Sequence, residues 1–132
     1  LIALTKEADF DVRISAIGSL GRIGPDAACA VPTLIALLHD PVQGIQCTAA
    51  GALGGIGPEA KDAVPELIPM LRSPDGTVRY IAAGALGGIG PDARVALPAL
   101  TAALRDEAEI VRKAAAAAIE KINADKQGQL AP

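Results

Sequence analysis

Aromatic side chains are nearly missing from this chain. Its 132 residues include one phenylalanine, one tyrosine and no tryptophan. A core must therefore be assembled from Ala, Val, Leu and Ile, and without bulky rings to bridge gaps its elements must approach closely. Histidine occurs once, at His39, so a metal site built on several histidines cannot form. Positive charge is not in excess: 12 Lys and Arg against 15 Asp and Glu leave a net charge of -3. Nucleic acid is disfavoured as a partner, because its binders concentrate Lys and Arg in a stripe. No run of 18 apolar residues occurs, so no segment reads as membrane-inserted. The two cysteines, Cys29 and Cys47, lie too far apart for a CxxC motif. On the helical reading below they are offset by roughly 9 Å along the axes, too far for a disulfide, and are expected as free thiols. The sequence opens with neither Met nor a charged-then-apolar leader, which suggests a segment of a longer chain and leaves the compartment unread.

What is present is a globular balance, 51% apolar and 20% charged, and a period. The stretch AAGALGGIGP occurs at Ala49–Pro58 and again at Ala82–Pro91. Shifting the chain against itself by 33 residues aligns it throughout, as a solenoid or array requires. Gly24-Pro25, Gly57-Pro58 and Gly90-Pro91 coincide, as do Pro32, Pro65 and Pro98. Val12, Ile45, Val78 and Val111 form a further column, followed by Arg13, Gln46, Arg79 and Arg112. The copies read as 1–24 (partial), 25–57, 58–90 and 91–123, with a polar tail over 124–132, in one domain spanning 1–132.

Each copy reads as two helical parts. Gly-Pro followed by an acidic residue (Asp26, Glu59 or Asp92) suits a helix start, because Pro fits the first position and the dipole favours negative charge. The second Pro, as at Pro65, predicts a break or kink at the residue before it. A turn such as SPDGT follows, and a second helix is expected from about Thr77 to Gly88, closed by Gly90 in a left-handed cap. A helical wheel for the second copy buries Ile45, Thr48, Ala49, Ala52, Leu53 and Ile56. It turns Cys47, Ala50, Gly51 and Gly54 outward and puts Gln46 and Gly55 on the flanks. These glycines lie within and at the end of a helix, whereas a phosphate loop needs a strand and a glycine turn before one. A flexible linker would carry no core residues in register.

The arrangement AVPELIPMLRSPDGTVRYIAAGALGGIGPDA resembles the HEAT-like repeats common in bacterial proteins. The matching features are the internal Pro, the Leu-rich run, the turn Asp, the Val-Arg opening and the Ala-Leu-Gly-x-Ile-Gly close. The period equals the ~33 residues of ankyrin, not the ~40–47 of HEAT, but ankyrin's Thr-Pro-Leu-His is absent. Tetratricopeptide repeats want aromatics that this chain lacks. The resemblance implies an all-α, right-handed solenoid of stacked antiparallel helix pairs, about 3.5 repeats, with the second helices lining a concave groove. The groove column is then Ile14, Cys47, Tyr80 and Lys113. Beside it run Gly18, Gly51, Gly84 and Ala117, and then Gly21, Gly54, Gly87 and Glu120.

The resemblance also implies that Arg13, Gln46, Arg79 and Arg112 form a structural ladder with the turn residues Asp40, Asp75 and Asp106. Read alone, an Arg column could be an anion ladder, but Gln46 interrupts it. Catalytic relatives leave no signature here. The deoxyhypusine hydroxylases need repeated His-Glu pairs, and HEAT-like DNA glycosylases need a basic, aromatic concave face. Phycobilin lyases share the repeat without a catalytic residue that can be located in this chain. The expected function is a non-catalytic module binding a protein or peptide, with no cofactor and no metal. The alternatives are an architectural spacer or a small-ligand handler. The outward glycines have two readings: recent duplication, or close approach of a partner to the backbone. The last helix replaces them with Glu120, Lys121 and Asn123, as a solvent-facing cap would.

Overall fold

A computed structural model describes residues 1–6 and 9–124; the tail expected over 124–132 lies, but for its first residue, outside them. The described residues form helices and turns. In chain order the α-helices are α1 (Phe10–Ile23), α2 (Val31–Leu37), α3 (Gln43–Ile56), α4 (Val64–Leu67), α5 (Gly76–Ile89), α6 (Leu97–Ala103) and α7 (Glu109–Ile122). The long helices α1, α3, α5 and α7 have 14 residues each and recur in the 33-residue register. They lie side by side in one layer, with the shorter helices in a second layer, as an α-solenoid of stacked antiparallel helix pairs. Leu34, Leu67 and Leu100, one per repeat, are fully buried between the layers.

The repeat junctions differ from the expectation in two ways. Gly24, Gly57 and Gly90 have φ of 77°, 86° and 84° with ψ near -144°. This is an extended mirror-image conformation and not a left-handed helical cap. The reason is the proline that follows each of them, whose ring disfavours α-type ψ in the preceding residue and leaves a conformation open only to glycine. The break in the first helix also falls earlier than expected. The chain runs as 3-10 turns over Gly24–Ala30, Gly57–Ala63 and Gly90–Ala96, with non-helical ψ of 18° at Ala27, Ala60 and Ala93. Val64, just before Pro65, is helical (φ -54°, ψ -48°). Pro65 enters the first turn of α4, where its missing N–H has no intrahelical partner to lose. The next proline, Pro69, deprives the helix of an interior donor, and the chain tightens to 3-10 over Ile68–Arg72.

Residues Phe10–Leu37 form a helical run of 28 residues apolar enough in composition to cross a membrane. Gly24 folds that run back on itself. Its longest straight piece, α1, is about 21 Å long, against the ~30 Å of a hydrocarbon core.

Neighbouring long helices meet backbone to backbone. A Cβ on Gly21 would stand 2.7 Å from the Cα of Ala52, one on Gly54 2.8 Å from Ala85 Cα, and one on Gly87 2.9 Å from Ala118 Cα. From the opposite side, a Cβ on Gly55 would lie 2.6 Å from the Gly21 carbonyl oxygen, and one on Gly88 would press on the Gly54 carbonyl. This corrects the wheel: Gly54 and Gly87 face the next helix, not away from the packing. Ala50, also placed outward, is 0% exposed. Thr48, placed in the core, is half-buried and donates its hydroxyl to the Gly44 carbonyl at 2.7 Å. The cause is common to all of these residues. An internal second helix is flanked on both sides by its neighbours' second helices, so its free strip narrows to the line through Gly51 or Gly84. A Cβ at either of these meets nothing within 4 Å.

Gly51→Ala and Gly84→Ala are therefore expected to raise stability by about 0.5–1 kcal/mol each, through helix propensity alone. Gly54→Ala and Gly88→Ala should each lower it by about 1–3 kcal/mol, because a helix backbone must move. Urea denaturation of the four variants checks the opposite signs.

Candidate binding groove

The free strips of α3, α5 and α7 join into a hollow of about 510 Å³. Gly51 and Gly84 form its open floor, the seam glycines Gly54 and Gly87 lie at its base, and Tyr80 and Lys121 supply its polar groups. A second hollow of about 400 Å³ crosses α1 and α3, shares Gly51 and Gly55 with the first, and adds Gly18, Thr48 and Arg22. Together they make one trough along the long-helix layer. Its lining is uncharged except for Arg22 towards one end and Lys121 towards the other. Tyr80 stands 44% exposed in it.

Of the residues expected in the groove, Tyr80, Gly51, Gly54, Gly84, Gly87, Gly18 and Gly21 line these hollows, with Ala117 beside them. Ile14, Cys47, Lys113 and Glu120 line neither. Ile14 and Cys47 are half-buried, and Lys113 reaches back along α7 to Glu109 at 3.1 Å. Burial, and then the Asp75 charge, push the Cys47 thiol up from its ordinary value, so it stays protonated near neutral pH. Arg22 and Ile81 were not singled out from sequence, and Lys121 was read only as part of a solvent-facing cap. Arg22, Gly55, Gly88 and Lys121 share one column of the 33-residue register, which is the signal that could have found the two bases.

The polar ladder lies at the turns. The Arg13 guanidinium meets Asp40 at 2.6 Å and donates to the Thr5 carbonyl. Arg79 grips Asp106 through Nε at 2.7 Å and Nη2 at 3.0 Å, and donates from Nη1 to the Ser73 and Pro74 carbonyls. Both side chains of the Arg79–Asp106 pair are 11% exposed. Gln46 is too short for this and donates instead to the carbonyl of Asp40 in its own turn. One turn earlier on the same helix, Gln43 donates to Asp75 at 3.0 Å. Asp40, Asp75 and Asp106 thus each accept from the long helix of the preceding repeat. Arg112 donates to the Asp106 and Glu107 carbonyls. These cations are engaged at the turns and none lines the trough. His39 pairs with Glu66 at 2.9 Å on the exposed side of the short-helix layer.

The ladder carboxyls are held below the ordinary carboxylate range. The Arg13 hydrogen bond does this for Asp40 and the Arg79 hydrogen bond for Asp106, each aided by a backbone N–H; the Gln43 hydrogen bond does it for Asp75. A depressed carboxyl contributes stability that is complete above its unfolded-state value and lost as pH falls through the folded-state value. The fold should therefore hold its urea midpoint from neutral pH to about pH 5 and lose it progressively below about pH 4. Asp106→Asn should lower the midpoint at pH 7 and flatten the acid slope, while Asp62→Asn, exposed and outside the ladder, should do neither.

Matches to the family model described as HEAT repeats cover residues 1–68 and 64–130. Among solved structures, the chain is similar to an engineered protein of the Northeast Structural Genomics Consortium, with 27% identity and a TM-score of 0.76, covering 92% of this chain and 60% of that one. A second engineered protein of the same consortium is 29% identical at a TM-score of 0.73, covering 92% and 36%. A designed armadillo repeat protein in complex with the peptide (KR)4 shares the fold at 21% identity and a TM-score of 0.76, covering 92% and 62%. The chain thus spans between 36% and 62% of the length of these structures. No curated protein matches it.

Proposed function

We propose that this chain, which belongs to the HEAT-repeat family, is a non-catalytic binding module that holds an extended polypeptide along the trough of its long helices. The observation that carries this reading is the open, nearly uncharged floor at Gly51 and Gly84, flanked by Tyr80. The fold supports it, being commonly a protein-interaction scaffold. The solved relative with (KR)4 holds a basic peptide. Here Arg22 and Lys121 at the trough ends favour a partner that is apolar in its middle and not basic at its ends. Four helices at ~8–10 Å spacing offer room for about eight extended residues.

The test uses positions where a side chain fits without disturbing the packing. Gly51→Arg and Gly84→Arg fill the trough while leaving the seams intact. Titration of an array of immobilised decapeptides with wild type and each variant should find peptides whose binding falls at least about tenfold in both variants, with melting temperatures unchanged or higher. Equal binding by folded variants would overturn the groove reading and favour an architectural spacer. Capture of a pigment in place of peptides would favour a small-ligand handler.

A further inference from the structure

The short-helix layer carries a hollow of its own, about 390 Å³, between the 3-10 turn Ile68–Arg72 and α6. We propose that it is a docking site for a partner polypeptide, which inserts a glutamate side chain there with an aliphatic side chain beside it. Ile68 and Leu71 form one wall, and Val95, Ala99 and Ala102 form the other. Val95 is 69% exposed, so this apolar interior is open to solvent. Two charged residues line the hollow, Arg72 and Asp106. Asp106 is already engaged, since Arg79 donates to both its carboxylate oxygens and the Ala108 N–H donates to one of them. Arg72 is exposed and takes part in none of the ion pairs among the described residues.

The repeat itself shows what Arg72 lacks. In the 33-residue register His39 holds the place of Arg72 one repeat earlier, and Glu66 holds that of Ala99. Those two side chains meet at 2.9 Å. At that junction the base of one repeat receives an acid from the next; at this one the base is kept and the acid is cut back to a methyl group. Pro69 likewise holds the place of Ala102. Two side chains present at the earlier junction are thus reduced to a single carbon here, and the hollow stands where they would lie. The missing chemistry is a carboxylate on a short aliphatic stem. Against a guanidinium it can form a two-pronged, charge-assisted pair, which the imidazole of His39 cannot offer. The walls around Arg72 are apolar, so the segment that delivers the acid is apolar beside it. In an extended chain residues two apart point the same way, and the glutamate enters together with an aliphatic residue at that spacing.

The probes are capped, fluorescent decapeptides of Ala, Leu, Val and Ser around one central Glu, with Leu two residues on, each made also with Gln or Lys in place of the Glu. In anisotropy titrations of the 132-residue chain, the Glu peptides should bind roughly fivefold or more tighter than their Gln counterparts. Amide shifts in nuclear magnetic resonance spectra should move at Val95, Ala99 and Ala102. Arg72→Gln should erase the Glu preference, and Arg72→Glu should turn it into a preference for Lys. Ala99→Glu should abolish it by supplying the acid from within, as Glu66 does for His39. Circular dichroism should stay unchanged in all three variants, whose sites are on the surface layer. A wild type with no Glu preference up to about 1 mM overturns the proposal, and so does a preference that survives Arg72→Gln or Ala99→Glu. Free hexanoate that moves the same amide signals where no peptide does would overturn the polypeptide as occupant. Gly84→Arg, which fills the trough on the long helices, should leave the Glu preference intact, so failure here and failure of the groove reading are separable.

Discussion

The close approach of successive long helices governs this molecule. Where Gly21 meets Ala52, Gly54 meets Ala85 and Gly87 meets Ala118, the backbones touch with no room for even one added carbon. A chain almost without aromatics has no other way to build a dense interior, since small residues fill space only if the elements carrying them come together. The same approach decides what remains outside. Packing on both flanks leaves each internal helix a narrow free strip, and the trough is the sum of those strips.

A second constraint works at the turns. The turn carboxylates fix the height of each repeat relative to the one before it, through Arg13, Gln43 and Arg79 acting on Asp40, Asp75 and Asp106. Apolar columns alone tolerate sliding, because one Ala resembles the next. A directed bond at every turn removes that freedom. In the middle junction a neutral amide does the work that a guanidinium does elsewhere, with one bond in place of several, so the solenoid is held less firmly between its second and third copies.

Much of this was legible in the sequence because the period is rigid. Four copies compared at a fixed offset reveal the helices, the junctions, the Arg column and the free positions Gly51 and Gly84. The wheel erred where it treated a helix as having one buried face. Ala50, Gly54 and Gly87 are buried by lateral neighbours, and a single helix cannot reveal how many neighbours it has. The cap conformation was missed for a local reason, the proline after each junction glycine. Gln43 was missed because the ladder was sought in one column, whereas the amide that replaces Arg comes from three residues earlier on the same face. Arg22 escaped, and Lys121 was read as a cap residue, because the glycines between them hid the column's chemistry.

The identical decapeptides at Ala49–Pro58 and Ala82–Pro91 carry the seam residues, the free strip and the junction glycine together. A crossover between these two stretches would remove or add 33 residues and rejoin matching surfaces: Gly54 would then face Ala118 as Gly87 does now. The seams thus permit the chain to change length by one repeat, while the turn ladder must be remade, since Asp106 would lose Arg79 and meet a helix that carries Gln43 and Gln46. The length of the trough is a heritable quantity, adjustable in steps of one repeat.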